Sequence, residues 1–178
     1  MENKTIIAET ERLILRRYKK DDLQDLFEYL SDMKVVEYEP YKPMTIDETK
    51  ENLEWRIGTE EMIAVELKSS HKMIGNVYMG KRDFEALEIG YVFNRNYWGN
   101  GYAVESCKAL IEHAFSKGTH RIYAECDPDN KGSWKLLETL GFQREAHLRQ
   151  NVYFWKNEND EPIWKDTYVY AKLGADRQ

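Results

Sequence analysis

Asn96-Tyr97-Trp98-Gly99-Asn100-Gly101-Tyr102-Ala103 is the stretch whose reading decides the fold. A strand-like run, Leu87 to Phe93, leads into it, and a strongly helical run, Ala103 to Lys117, follows. The order is strand, glycine turn, helix N-terminus. The first turn of a helix has backbone N–H groups without intrahelical partners, and the macrodipole adds partial positive charge there. Glycine lets a large anion approach the backbone. The arrangement suits a phosphate or pyrophosphate. Gly-x-Gly also serves tight turning alone, so the turn does not name its ligand. It does exclude two phosphate loops. No G-x-x-x-x-G-K-[ST] is present, and Ala103-Val104 stands where a dinucleotide-binding turn has its third glycine.

On the N-terminal side, Glu11 to Tyr18 reads as a strand through Leu13, Ile14 and Leu15. Asp21 and Asp22 open a helix whose Leu23, Leu26, Phe27 and Leu30 recur at helical spacing. Thr45-Ile46-Asp47-Glu48 has the form of a capping box, which predicts a second helix to about Ile57. The segment between them, Val36 to Pro43, holds two prolines and two tyrosines and reads as a structured loop. Strands are predicted near 62–68, 73–79 and 87–93, the first two joined as a hairpin at Ser69-Ser70-His71. After the helix, Lys117-Gly118 is a stop, and His120 to Glu125 is a strand. Strand, helix and strand in succession predict parallel neighbours. A short helix follows from about Gly132 to Leu140. The tail from Phe142 to Leu173 reads as two or three strands around a hairpin tip at 157–162. Its aromatics, Tyr153, Phe154, Trp155, Trp164, Tyr168 and Tyr170, are expected mostly in the core and in cross-strand pairs. No repeat, low-complexity tract or linker interrupts the chain. The expectation is one α/β domain over residues 1–178 with a mixed sheet.

The 178 residues suffice for one domain with a real core. Hydrophobic content of 42% is globular, and a net charge of −6 argues against a general nucleic-acid binder. The acidity mildly favours a cationic acceptor through steering. Cys107 and Cys126 make neither a disulfide framework nor a metal cluster, and Cys107 falls on an apolar helix stripe as a buried thiol. His71, His113, His120 and His147 show no ligand spacing, so no metal is expected. Met1-Glu2-Asn3-Lys4 is not an apolar signal segment. No apolar run reaches the roughly 20 residues of a membrane helix. A cytoplasmic protein without a membrane partner is the default expectation.

Two separated motifs line up with a known family. One is Glu88-Ile89-Gly90-Tyr91 followed by the glycine stretch and Glu105. The other is Asn130-x-x-Ser133 followed by Leu140-Gly141-Phe142. Together they closely resemble the GNAT superfamily of acetyl-CoA-dependent N-acetyltransferases. Thr10-Glu11-Arg12-Leu13-Ile14-Leu15-Arg16 narrows the resemblance to the subgroup with the ribosomal-protein alanine N-acetyltransferases. It spans about residues 10–173.

The resemblance implies a mixed, mostly antiparallel sheet with flanking helices. Its two central parallel strands, about 87–93 and 120–126, splay into a V. Acetyl-CoA is the implied co-substrate. Its pantetheine arm would lie in the V along Tyr91, Val92 and Phe93. Its pyrophosphate would face the backbone N–H groups of Trp98, Gly99, Asn100, Gly101, Tyr102 and Ala103. Asn130 would bond to the cofactor through its side chain, although capping of the next helix is the alternative role. Two departures stand out. Asn96 replaces the usual Gln or Arg, with Arg95 adjacent as a substitute. Leu137 occupies the position, seven residues after the asparagine, where many members carry a tyrosine acid. In the resembling subgroup the residue at Ser133 is thought to take that role; capping or a CoA contact is the alternative.

Acetyl transfer requires a neutral amine, hence a base whose pKa lies near working pH. Glu88 is the first choice: alternation puts it on the same strand face as Gly90 and Val92, and burial would raise its pKa. Glu125, at the end of the partner strand, is second. Pairing with an arginine, or plain solvation, is the rival role for each. The family implies an acceptor pocket built from Tyr38, Tyr41, Trp55 and part of 150–157. Aromatic walls suit an amine. The expected acceptor is a peptide α-amine or a small-molecule amine, and the rival reading is a non-catalytic acyl-CoA-binding module. Exposed edge strands also raise a homodimer as an expectation.

Overall fold

The computed structural model describes residues 6–176. Eight strands form one mixed sheet: β1 (Ile6–Glu9), β2 (Leu13–Arg16), β3 (Met62–Leu67), β4 (Met73–Arg82), β5 (Ala86–Phe93), β6 (Arg121–Cys126), β7 (Gln143–Val152) and β8 (Lys165–Leu173). Their spatial order is β1-β2-β3-β4-β5-β6-β8-β7. The helices are α1 (Leu23–Leu30), α2 (Ile46–Gly58), α3 (Tyr102–Ser116) and α4 (Lys131–Thr139). The capping box at α2 forms as its sequence predicts. Glu48 N–H donates to Thr45 Oγ1 at 3.3 Å, and Thr45 N–H donates to the Glu48 carboxylate at 2.7 Å.

Strand β5 pairs antiparallel with β4 along its whole length, from Arg82↔Ala86 to Gly75↔Phe93. With β6 it pairs in parallel at only three positions, Ala86↔Arg121, Leu87↔Ile122 and Glu88↔Tyr123. Beyond them β6 continues against β8, to Cys126↔Tyr168. The two central strands therefore diverge from Ile89 and Ala124 onward. The mixed sheet with its splayed parallel pair is the expected architecture.

Both faces of the sheet are covered. On one, Leu15, Val65, Val77, Ile89 and Ile122 pack with Cys107, Leu110 and Ile111 of α3 and Leu137 of α4. On the other, Ala64 and Met73 pack with Leu26, Tyr29 and Leu30 of α1 and Leu53 of α2. The fully buried strand β3 follows from this: odd positions face α3, even ones face α1 and α2. Glu66 would be an uncompensated charge there. Arg16, itself fully buried, reaches it at 2.5 Å and also takes Asp22 at 2.7 and 2.8 Å.

The sequence reading differs from the fold in two places. Strand β1 was not anticipated; it is a four-residue edge whose ends are exposed, so it carries almost no alternation. The tail aromatics are mostly not core. Tyr170 is buried, but Tyr153, Phe154 and Trp164 are exposed. The reason is that β7 ends at Val152 and β8 begins at Lys165, so the aromatic run lies in the hairpin tip beyond the sheet. There Tyr153 and Trp164 meet edge to face at 5.2 Å instead of packing under a helix.

Candidate functional site

The glycine turn is built by local hydrogen bonds. After β5, the Oδ1 of buried Asn94 accepts from the N–H of Asn96, and its amide group donates to Glu28. Trp98 N–H donates to Arg95 C=O at 3.2 Å, the Trp98 indole to Phe93 C=O, and the Asn100 side chain to the carbonyls of Tyr97 and Trp98. Gly99 and Gly101 have φ of 76° and 80°, the left-handed region that disfavours a side chain. Gly101 heads α3 with no side chain capping it. The donors suited to an anion therefore run from Gly99 to Ala103. Trp98 N–H, included by the family pattern, is already committed. Arg95, the predicted substitute for the side chain missing at Asn96, pairs with Asp32 at 3.0 Å and does not line the cleft.

The turn is anchored to the start of the chain. Glu105, in the first turn of α3, accepts from Thr10 Oγ1 at 2.5 Å, from Arg12 N–H at 3.0 Å and from Arg12 Nε at 2.7 Å. The Arg12 guanidinium lies over the Tyr102 ring, 4.4 Å from its centre. Two motifs that are far apart in sequence thus form one clamp. It holds the Glu105 carboxyl below the usual range, hydrogen bonds and the arginine charge outweighing burial.

Across the V, Asn130 Oδ1 accepts from Ser133 N–H at 3.2 Å and caps α4. Its amide N–H groups remain to donate to a ligand. Ser133 Oγ lies 3.0 Å from the Tyr91 hydroxyl, which also donates to Ser133 C=O at 2.9 Å. Burial pushes the Tyr91 phenol well above its ordinary range, so it stays protonated. Burial also pushes the Cys126 thiol up to about 11. Leu137, one helical turn beyond Ser133, is fully buried in the core and does not line the cleft.

These groups share one cleft of about 1260 Å³. Of the predicted cofactor residues, Asn96 and Asn100 do not line it; Tyr91, Val92, Phe93, Trp98, Gly99, Gly101, Tyr102, Ala103, Asn130 and Ser133 do. Glu88 and Glu125 line it as well, in the surroundings named as the rivals to a catalytic role. Arg82 engages Glu88 at 2.5 Å and also donates to Tyr78, and Glu125 is solvent-exposed.

The cleft continues past Val92 to Tyr38, Tyr41, Trp55 and Phe154, so the residues predicted for the acceptor and those predicted for the cofactor line one cleft. Among the lining residues that the sequence reading did not single out are Glu39 and Arg56. Arg56 is buried and donates to the Tyr18 hydroxyl at 2.9 Å and to Asn52 at 2.5 Å. Burial raises the Glu39 carboxyl to about 7, against the opposing pull of Arg56 and the Tyr41 hydroxyl. The available signal was a lone carboxylate inside an aromatic loop, Tyr38-Glu39-Pro40-Tyr41.

A family model described as the acetyltransferase (GNAT) domain matches residues 12–143. The chain is 33% identical over 170 residues to the uncharacterized N-acetyltransferase YnaD of Bacillus subtilis, covering 92% of this chain and 95% of that one. The [ribosomal protein uS5]-alanine N-acetyltransferase of Escherichia coli is 29% identical over 102 residues, 57% of this chain and 48% of its own. Among solved structures, a GNAT-family acetyltransferase from Bacillus anthracis superposes with a TM-score of 0.86 at 30% identity, over 94% of this chain and 98% of that one. A spermidine N-acetyltransferase from Vibrio cholerae, solved with CoA and spermine, shares the fold at a TM-score of 0.76 and 20% identity, over 93% and 98% of the two chains. With the splayed strands, the glycine turn and these matches together, the chain belongs to the GNAT family of acetyltransferases.

Proposed function

We propose that the protein transfers acetyl from acetyl-CoA to a primary amine, either a peptide α-amine or a small-molecule amine. The observation that carries this reading is the V itself. From Ile89 onward the β6-facing edge of β5 has no strand partner, and it opens onto a helix N-terminus without a side-chain cap. Unpaired backbone groups suit the amide-bearing pantetheine arm, and the helix end suits a pyrophosphate. The residues proposed for the donor are Tyr91 to Phe93, Gly99 to Ala103, Asn130 and Ser133.

Ser133, coupled to Tyr91, is proposed to supply the proton that the departing CoA thiolate takes. The thioester oxygen would gain negative charge in the transition state, where strand N–H groups along β5 can stabilise it. Aromatic walls at Tyr38, Tyr41 and Trp55 suit an ammonium-bearing acceptor. The relatives support both acceptor classes: one acetylates a ribosomal-protein alanine, and another is named for spermidine.

Calorimetry with acetyl-CoA, followed by CoA release over a panel of an alanyl peptide, spermine and a primary monoamine, tests the reading. Binding and turnover are expected. Binding without turnover on any amine would favour the acyl-CoA-binding module. No binding would sink both.

A further inference from the structure

We propose that Glu39 receives the ammonium group of the acceptor and takes its first proton. The proposal rests on the N-acetyltransferase reading above and adds to it the residue that prepares the nucleophile.

Glu39 lies in the loop between α1 and α2, which is fixed rather than open. Its own N–H donates to Val36 C=O at 2.9 Å, Val36 is buried, and Met44 N–H returns to Leu30 C=O at 3.0 Å. The carboxyl lines the acceptor end of the cleft among Tyr38, Tyr41 and Trp55. Other carboxylates of the cleft have different partners or surroundings. Glu37 meets Lys34 at 3.4 Å, Glu88 meets Arg82 at 2.5 Å, Asp166 meets His147 at 2.6 Å, and Asp127 is held by Lys165. Glu125 and Asp129 are exposed.

The groups facing Glu39 come from several elements. Arg56 of α2 supplies opposing charge, but its Nη1 and Nε are spent on Tyr18 and Asn52. The Tyr41 hydroxyl donates to the carboxylate, and burial pushes that phenol upward, so it remains a donor. Behind Arg56 stand the phenols of Tyr18 and Tyr29. Tyr29 in turn donates to Asn76 at 2.8 Å, and Asn76 is the cross-strand partner of Val92 on β5. One buried polar network therefore connects the Glu39 region to the strand along which the thioester is proposed to lie.

Burial with partial compensation leaves the carboxyl ionising near neutrality, at about 7. A base poised there is ionised often enough to bind an ammonium and basic enough to accept a proton from it. The step balances as follows. Glu39 carboxylate takes one proton from R–NH3+, leaving R–NH2. The nitrogen lone pair forms the C–N bond, and the C–S bond breaks with its electrons going to sulfur. The second nitrogen proton passes to water as the amide forms, and the thiolate takes a proton from Ser133. Ser133 is then reprotonated by solvent and Glu39 releases its proton to solvent, so one proton is released overall.

The test is the pH profile of kcat/KM for Glu39→Gln and Glu39→Asp beside the unaltered protein. The acceptor should be a primary alkylamine from the panel, whose own ionisation lies near ~10. The unaltered protein should show a bell with its acidic limb near 7. Glu39→Gln should lose that limb and about 100-fold or more in kcat/KM. Glu39→Asp should recover part of the loss, and calorimetric acetyl-CoA affinity should stay unchanged.

A stability measurement separates this from a structural role. A carboxyl with a raised folded pKa holds its proton in the native state, so its burial costs nothing extra below the unfolded pKa. The cost grows through the window up to about 7 and persists above it. Glu39→Gln should therefore melt higher than the unaltered protein at pH 8, and the gap should close as the pH falls below 4.5. Retention of the acidic limb with near-full activity would overturn the proposal. So would a Glu39→Gln variant that melts earlier at pH 8, since Glu39 would then be a structural partner of Arg56. Absence of turnover by the unaltered protein would overturn the N-acetyltransferase reading, and this inference with it.

Discussion

The Tyr91 hydroxyl sits 2.9 Å from Ser133 C=O and 3.0 Å from Ser133 Oγ. A phenol has one proton. When it goes to the carbonyl, the serine hydroxyl must donate to the phenol oxygen, so the two hydroxyls form an ordered chain. A tyrosine on β5 thereby stands beside the serine of α4, while the helix position that carries a tyrosine in many relatives is filled by buried Leu137.

Ser133→Ala should leave the Tyr91 hydroxyl close to the departing thiolate. We expect kcat to fall about tenfold, with KM for acetyl-CoA little changed. Ser133→Ala combined with Tyr91→Phe should lose roughly 100- to 1000-fold, the range of a complete acid–base contribution. Steady-state kinetics on the single and double variants checks this. Loss of the same size in both would assign no share to Tyr91.

Leu137→Tyr should not restore a superfamily-style acid. The residue is closed into the core with α3, so the larger ring overpacks it at a cost of about 1–3 kcal/mol. Thermal melting should fall, and kcat should not rise. An increase in kcat without loss of stability would show that the position can face the cleft.

Gly101→Ala meets no steric obstacle, since an added methyl group would lie 3.5 Å from Arg12 Nη2. The backbone is the problem. At φ of 80° an alanine costs about 1–2 kcal/mol. If the chain relaxes to avoid that strain, the N–H donors of the turn move. Acetyl-CoA should bind about tenfold more weakly, the equivalent of ~1.4 kcal/mol. Calorimetry reads this directly.

Arg16→Met removes the guanidinium that bridges Asp22 and Glu66. Leaving buried carboxylates without it should cost about 3–5 kcal/mol. For a chain of this size that corresponds to a melting temperature lower by roughly 10 °C. The loss should shrink at acid pH, where the carboxyls can take protons. A pH series of melting curves distinguishes this from a simple packing defect, which would be independent of pH.

Glu105 gives a second pH signature of opposite origin. Its folded pKa lies below the ordinary value, so its contribution is present above about 4.5 and is lost as pH falls through the folded pKa. Glu105→Gln should melt below the unaltered protein at pH 7, and the gap should close as the pH drops beneath 4.5. The exposed arginine partner keeps the effect modest.

Local signals made much of the fold legible. Thr45 and Glu48 announce α2 because both halves of the capping box lie within one turn. The apolar stripe of α3 and the strand before it place the glycine turn without any tertiary information. The hairpin tip at 157–162 was legible, but the exposure of Tyr153, Phe154 and Trp164 beside it was not, because residue type does not reveal where sheet pairing stops. Glu39 escaped notice for a related reason. Its proton affinity comes from burial against Arg56 of α2 and Tyr41, and no spacing within the loop encodes that environment. Glu88 illustrates the converse: its strand position was legible, but its engagement by Arg82 depends on how the end of β4 crosses β5.

The clamp of Thr10 and Arg12 on Glu105 joins residues 95 and 93 positions apart. Closing so long a loop is slow relative to forming a helix or a hairpin. The orientation of the glycine turn is therefore expected to be fixed late in folding, once the first strands have docked against the third helix. A nascent chain that has made α3 but not yet secured its start would carry the glycine turn without a fixed orientation. Donor binding should then act as a kinetic checkpoint: in refolding, the appearance of acetyl-CoA affinity should lag behind helix formation and coincide with final closure of the N-terminal strands.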